Sequence, residues 1–208
     1  MTTLIIGANG QIGRRLCEQA AQSGHAVRAM VRDEQQNTFF DSIGVETVMG
    51  DLTGDMDHVF EGCDQVVFTA GSGGATGLDH TLMVDLNGAM RAVDIAREHG
   101  IRRFLMVSTL HVDPLKGPEK LRPYLVAKRA ADAYLQASGL EHVILRPGRL
   151  SDDPGTGHIE TDQSRASTGD VSRDNVATAI LTLLKRQTSA PEEIVLLEGD
   201  HPIDQVLG

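Results

Sequence analysis

Along the chain, short apolar runs alternate with stretches whose apolar residues recur at helical spacing. Leu4-Ile5-Ile6 is the first run, and it stops at Gly7. Gly10 and Gly13 follow at three-residue intervals, and Ile12, Leu16 and Ala20 then mark one face of a helix. Residues 26–31 predict a second strand, 34–43 a short helix, 45–49 a third strand and 55–61 another short helix. Residues 65–70 are nearly all apolar, as expected of a strand covered on both faces. After the glycine-rich loop 71–77, the spacing predicts a long helix over about 79–99. Leu82, Leu86, Met90, Val93 and Ala96 share its apolar side, and Gly100 is its stop. A strand at 104–107, a helix over about 123–138, a strand at 142–145, a helix over 174–185 and a strand at 194–197 complete the series. Residues 108–123 and 146–168 show little periodicity.

Strands that alternate with helices predict an α/β fold, a doubly wound (Rossmann) parallel sheet with helices on both faces. The chain is expected to form one domain, 1–208, with a small C-terminal substrate lobe over about 147–170.

Composition narrows the function classes. A net charge of −10 argues against a dedicated nucleic-acid binder, which needs a basic face. Cys17 and Cys63 make no disulfide framework or metal-ligand spacing, so both are expected to be reduced thiols of the core. The eight histidines are scattered, and no metal site is predicted. Without a signal-peptide pattern or an apolar run of transmembrane length, the expectation is a cytoplasmic protein with no membrane partner, its oligomeric state open.

In a doubly wound sheet, ligands bind beyond the C-terminal ends of the strands. The first such end carries Gly7, Gly10 and Gly13. A turn glycine takes backbone angles other residues resist, a missing Cβ lets a phosphate approach the main chain, and the new helix presents free N–H groups to it. Residues 4–20 are therefore expected to hold the pyrophosphate of a dinucleotide. The second strand ends at Arg32-Asp33, where the adenosine ribose should lie. An acidic residue there favours NAD, whereas an arginine can pair a 2′-phosphate. Arg32 comes first, with Arg14 or Arg15 as a second positive charge, so NADP is preferred and NAD remains possible. Asp51 after the third strand can accept the adenine amino group with Leu52 against the ring, or serve only as a turn cap. Ala70-Gly71 lets the backbone pass beneath the cofactor, and 72–77 can form a flap.

Tyr124 and Lys128 stand four residues apart on one helix face, after a strand that ends in Ser108-Thr109. A lysine ammonium beside a tyrosine is expected to lower the phenol pKa from its usual ~10. With a hydroxyl to polarise a carbonyl, these groups make an acid/base device for alcohol–carbonyl interconversion. His111 in the following loop, and Arg149, Asp152 and Asp153, are placed by position near the same mouth.

These motifs, with Leu145-Arg146-Pro147-Gly148, resemble the short-chain dehydrogenase/reductase superfamily, in its atypical NAD(P)-binding branch related to epimerase/dehydratases. The resemblance spans nearly the whole chain. It implies Tyr124 as catalytic acid/base, Lys128 on the nicotinamide ribose, and Thr109 as the substrate-orienting hydroxyl with Ser108 the second choice. It also places Asn9, Gln11 and Ile12 of the glycine turn, Asp51 and Pro147 among the cofactor-binding residues. The segment 147–169 is shorter than the epimerases' sugar-nucleotide lobe, which argues against a nucleotide-sugar substrate. The resulting expectation is an NADP-dependent oxidoreductase acting on a small carbonyl or alcohol. The alternatives are an NmrA-like redox sensor, or an epimerase that recycles its cofactor.

Overall fold

The computed structural model describes residues 1–73, 77–110, 112–162, 164, 169–187 and 191–208. In chain order the first half comprises β1 (Thr3–Ile6), α1 (Gln11–Gln22), β2 (Val27–Val31), α2 (Asn37–Ser42), β3 (Glu46–Met49), β4 (Gln65–Phe68), α3 (Leu78–His80), a π-helical stretch (Thr81–Gly88) and α4 (Ala89–Glu98). The second half comprises β5 (Arg103–Val107), α5 (Arg122–Ala137), β6 (Glu141–Pro147), β7 (Arg149–Ser151), β8 (His158–Glu160), β9 (Asp170–Ser172), α6 (Arg173–Lys185), β10 (Glu192–Glu198), β11 (His201–Pro202) and α7 (Ile203–Leu207).

The main sheet runs β11-β8-β10-β6-β5-β4-β1-β2-β3, and β10 through β3 pair in parallel. This is the doubly wound order, with its reversal between β1 and β4. β1 shows why both faces must be covered. Ile5 joins Leu16, Val67, Leu105 and Ile180 in the core under α1 and α6. Leu4 and Ile6 join Phe68, Phe104, Ala92 and Leu135 in the core under α4 and α5. Successive strand residues point to opposite faces, so an uninterrupted apolar run feeds two cores at once.

Two sequence expectations change. The helix expected over 79–99 is not one amphipathic helix. Its first half is π-helical, and Leu82 is exposed while Thr81, Asp85 and Gly88 are buried. A wider turn breaks the i, i+4 register on which the Leu82–Leu86 stripe depended. The segment 146–168 is not wholly irregular either, because β7 and β8 lie within it. Their partners, β9, β10 and β11, are distant in sequence, and three-residue strands leave no readable period. Gly148 makes the exit from β6 into β7 sterically passable. A Cβ there would collide with the Gly169 carbonyl oxygen.

No helix among the described residues is long and apolar enough to cross a membrane.

Candidate cofactor and active site

The glycine turn is shaped by what it touches. Gly7 has φ +87°, and a Cβ on it would sit 2.5 Å from the Ala70 amide nitrogen at the end of β4. A Cβ on Gly13 would collide with the carbonyl oxygens of Gly7 and Ala8. The first glycine thus lets the turn pass β4, and the third seats α1 against the turn. Gly10 caps α1 without a side chain, and no side chain among the described residues caps the first N–H groups of the helix. An uncapped helix start behind a glycine cradle is a ready anion site. These residues fit the pyrophosphate of a dinucleotide.

A cavity of about 440 Å³ opens from this turn. Gly7, Asn9, Gly10, Arg32, Asp51, Leu52, Ala70 and Gly71 all line it, so one space gathers residues from the ends of four strands. Gln11, Ile12, Gly13, Lys128 and Pro147 do not. Ile12 faces the core and Gln11 is exposed. Pro147 is buried in β6, where its carbonyl accepts the Leu110 N–H at 2.9 Å.

At the end of β2 the acid and the base part ways. Asp33 accepts the Gln35 N–H at 2.9 Å and caps a short 3-10 turn. Arg32 is exposed on the cavity wall and makes no ion pair among the described residues. Arg14 donates to Asn9 Oδ1 through Nε at 2.9 Å and stacks over Phe39 at 4.5 Å. Arg15, the other candidate for a second positive charge, is not available. It pairs with Asp174 at 2.8 Å and Asp152 at 3.3 Å, because α1 packs against α6. Asp51 lines the cavity and also caps its own turn, accepting the Thr53 N–H at 2.8 Å. Those Thr53 hydrogen bonds, with Arg32 and Arg91 nearby, hold its carboxyl below the usual range.

Tyr124 and Lys128, the expected acid/base residues, lie on α5. Lys128 is buried on α5 and donates to the Val107 carbonyl oxygen at 2.8 Å. Burial pushes its pKa down, against the pull of Asp85 and Asp132. The expectation that lysine depresses the tyrosine is overturned: the Tyr124 phenol is pushed up to about 12, first by burial and then by Asp85 and Asp132. The charges that act on it are carboxylates, while the ammonium is engaged by a backbone carbonyl. The phenol is a proton holder at neutral pH.

Of the two hydroxyls at the end of β5, Ser108 is committed. It is buried and donates to Asp132 Oδ2 at 2.7 Å. Arg146 reaches the same oxygen at 3.0 Å and continues to Glu193 at 2.6 Å. Burial raises the Asp132 pKa against Ser108, Arg146 and Lys128. Thr109 is half-buried, and its hydroxyl has no hydrogen-bond partner among the described residues. The candidates at the mouth are likewise engaged: Arg149 pairs with Asp170 at 2.6 Å and Asp152 with Arg173 at 3.0 Å. His111 lies outside the described residues, as do 74–76 of the expected flap.

Sequence reasoning missed Met30, Thr53 and Thr69, which line the cavity from the ends of β2, β3 and β4. Their position at strand ends was the available signal. It also missed His80 and Val84 of the cavity wall and the buried Asp85, because the helical stripe assigned their segment to a plain surface helix.

Residues 7–187 match a family described as NAD(P)H-binding. The chain belongs to this NAD(P)H-binding family. The chain is 43% identical to an uncharacterized sugar epimerase of Bacillus subtilis, over 100% of this chain and 99% of the relative. A solved structure provisionally named an NAD-dependent epimerase/dehydratase, from Bacillus halodurans, matches with TM-score 0.94 and 40% identity over 100% of this chain and 98% of that one. An anaerobilin reductase of Escherichia coli O157:H7 matches with TM-score 0.78 and 26% identity, over 96% of this chain and 98% of that one. The resemblance to short-chain, epimerase/dehydratase-like proteins and the Rossmann fold are thereby borne out.

Proposed function

We propose that this NAD(P)H-binding protein is an NADP-dependent oxidoreductase of the atypical short-chain type that reduces a small carbonyl substrate. One observation carries the reading: Asp85 lies against the cavity wall at Gly71, on a stretch packed against α5, the helix that carries Tyr124 and Lys128. Gly71 lines the cavity, a Cβ on it would lie 3.2 Å from Asp85 Oδ1, and Asp85 acts on both Tyr124 and Lys128.

When bound, the reduced nicotinamide supplies a hydride to the carbonyl carbon and is itself oxidised. Tyr124 gives its phenolic proton to the carbonyl oxygen as the C=O π bond breaks, and regains a proton from solvent. Thr109 donates a hydrogen bond that orients the same oxygen. Lys128, which donates to the Val107 carbonyl, would hold the nicotinamide ribose. Arg32 would pair a 2′-phosphate, and with Asp33 engaged as a cap this would favour NADP over NAD. The lobe at 147–170 shapes the substrate mouth.

The name of the Bacillus subtilis relative favours a second reading, epimerisation with the cofactor regenerated in each cycle. A third assigns the chain a redox-sensing role without turnover. The deciding experiment incubates the protein with NADPH or NADH and a panel of small ketones, aldehydes and sugars. Loss of nicotinamide absorbance coupled to alcohol formation supports reduction. Product formed without net absorbance change supports epimerisation, and cofactor binding without any turnover supports sensing. Either of the last two outcomes overturns the reductase reading.

A further inference from the structure

A second cavity, of about 620 Å³, lies at the end of the sheet away from the cofactor, and the reaction above does not use it. It opens at the N-terminal ends of β2 and β5, where the turn after α1, the turn before β5 and the end of α6 meet. Each of the three brings basic side chains to its wall. His25 comes from the turn after α1, Arg102 from the turn before β5, and Lys185 and Arg186 from the end of α6. No carboxylate lines the cavity, although the whole chain carries a net charge of −10.

Two of these cations are left unanswered by the fold. Arg102 and Lys185 make no ion pair among the described residues. Arg102 donates through Nη1 to the Gln187 carbonyl oxygen at 3.2 Å, but its Nε is buried with no hydrogen-bond partner among the described residues. A buried guanidinium N–H without an acceptor is costly, and an acceptor seated beside it removes that cost. Nearby acids are already engaged: Glu192 pairs with Arg186 at 2.5 Å, and Asp64 accepts the Thr2 N–H at 2.7 Å. The His25 Nε2 lies 3.1 Å from the Thr3 hydroxyl. Burial first, and Lys185 second, hold its imidazole below the usual range, so the ring already sits in positive surroundings. A Cβ on Gly24 would meet nothing within 4 Å, which leaves that wall open to a ligand.

We propose that this cavity binds a phosphate-bearing small molecule, gripped at its phosphate by Arg102 and Lys185 with His25 and Arg186 beside them. A tetrahedral dianion offers oxygens in several directions and suits donors carried on separate elements. A planar carboxylate presents one edge and suits a single guanidinium fork. A concave site with four basic residues fits a small anion, whereas a nucleic-acid backbone needs an extended basic face. The site stands apart from the reductase reading, because the glycine turn lies at the opposite ends of the parallel strands.

That separation allows a direct test on the full chain. With NADPH in saturating excess to occupy the glycine turn, calorimetric titration with pyrophosphate reads the second cavity. Saturable binding at a single site per chain is expected. Lys185→Gln changes an exposed residue with no partner among the described residues, and it should weaken pyrophosphate about tenfold. Arg102→Gln should weaken it at least as much. Lys120→Gln, at an exposed lysine in the turn before α5, should leave binding unchanged. Absence of saturable binding overturns the proposal, as does full affinity in Lys185→Gln or an equal loss in Lys120→Gln. Citrate binding as tightly as pyrophosphate overturns the phosphate assignment. If Arg102→Gln does not fold once its contact with Gln187 is lost, Lys185→Gln decides alone. Turnover enters none of these measurements, so their outcome is independent of whether the protein is a reductase.

Discussion

The Ser108 hydroxyl donates to Asp132 Oδ2 at 2.7 Å, and that oxygen also accepts Arg146 Nη1 at 3.0 Å. Two adjacent hydroxyls at one strand end thus do different work. Ser108 helps satisfy a buried carboxylate, and Thr109 keeps a hydroxyl available to a ligand. Ser108→Ala is expected to cost about 1–3 kcal/mol of stability, the worth of a hydrogen bond to a charged group. It should leave turnover per folded molecule nearly unchanged. Thr109→Ala should do the opposite, lowering kcat on the order of 10²-fold with little change in Tm. Thermal melts and kinetics on the same two variants check the division, and a large kcat loss confined to Ser108→Ala would reverse it.

This division also marks where sequence stops being legible. Apolar runs such as Leu4-Ile5-Ile6 announce a doubly covered sheet, because both faces of each strand demand apolar residues. The glycine turn is legible for a similar reason, since spacing alone fixes strand, turn and helix start. The roles of Ser108 and Arg15 are not legible. They depend on partners 24 and 159 residues away that only the tertiary fold delivers. Asp85 was hidden differently. Its inward aim follows from a π turn, and a stretch read at α-helical spacing gives such a residue to solvent.

Three glycines separate the cost of a backbone angle from that of a collision. Gly24 has φ +69°, and a Cβ added there would meet nothing within 4 Å, so Gly24→Ala should cost only about 1–2 kcal/mol. Gly7→Ala meets the Ala70 backbone at 2.5 Å in addition to its φ of +87°. Gly13→Ala has no angle penalty but meets two backbone carbonyl oxygens. Both should destabilise more than Gly24→Ala and should weaken nicotinamide-cofactor binding by at least tenfold, which Gly24→Ala should not. Denaturant melts and fluorescence titration with NADPH check this. Equal cofactor affinity in Gly7→Ala and Gly24→Ala would remove the turn from the binding site.

Cofactor choice should rest on Arg32. Its guanidinium lines the cavity, and the neighbouring Asp33 is turned away into its cap. Loss of one charge-assisted pair to a phosphate is worth about 1.5–3 kcal/mol, or roughly 10–100-fold in affinity. Arg32→Ala should therefore weaken NADPH by that factor and leave NADH nearly unchanged. Competition binding with the two cofactors gives the ratio directly. Equal loss for both would show that Arg32 supports the wall without reading the 2′-phosphate.

Burial pushes both thiols up, but they should differ in their access to reagents. Cys17 is fully buried, and burial with Glu18 nearby pushes it from the ordinary 9.0 up to about 12. Cys63 is half-buried beside Arg28. In the native protein Cys63 should react with a thiol reagent first, and Cys17 only on unfolding. The sign of the linkage follows from the raised folded value. Below about 9 the thiol is protonated in both states, and the associated stability is fully present. As pH rises from about 9 toward 12, the unfolded chain sheds the proton and the folded chain keeps it, so stability falls. Tyr124 adds a loss of the same sign between its ordinary 10.0 and about 12. Urea melts at about pH 8 and about pH 11 should show a marked drop in the wild-type chain and a smaller one in Cys17→Ala. An identical drop in both would place the alkaline sensitivity elsewhere.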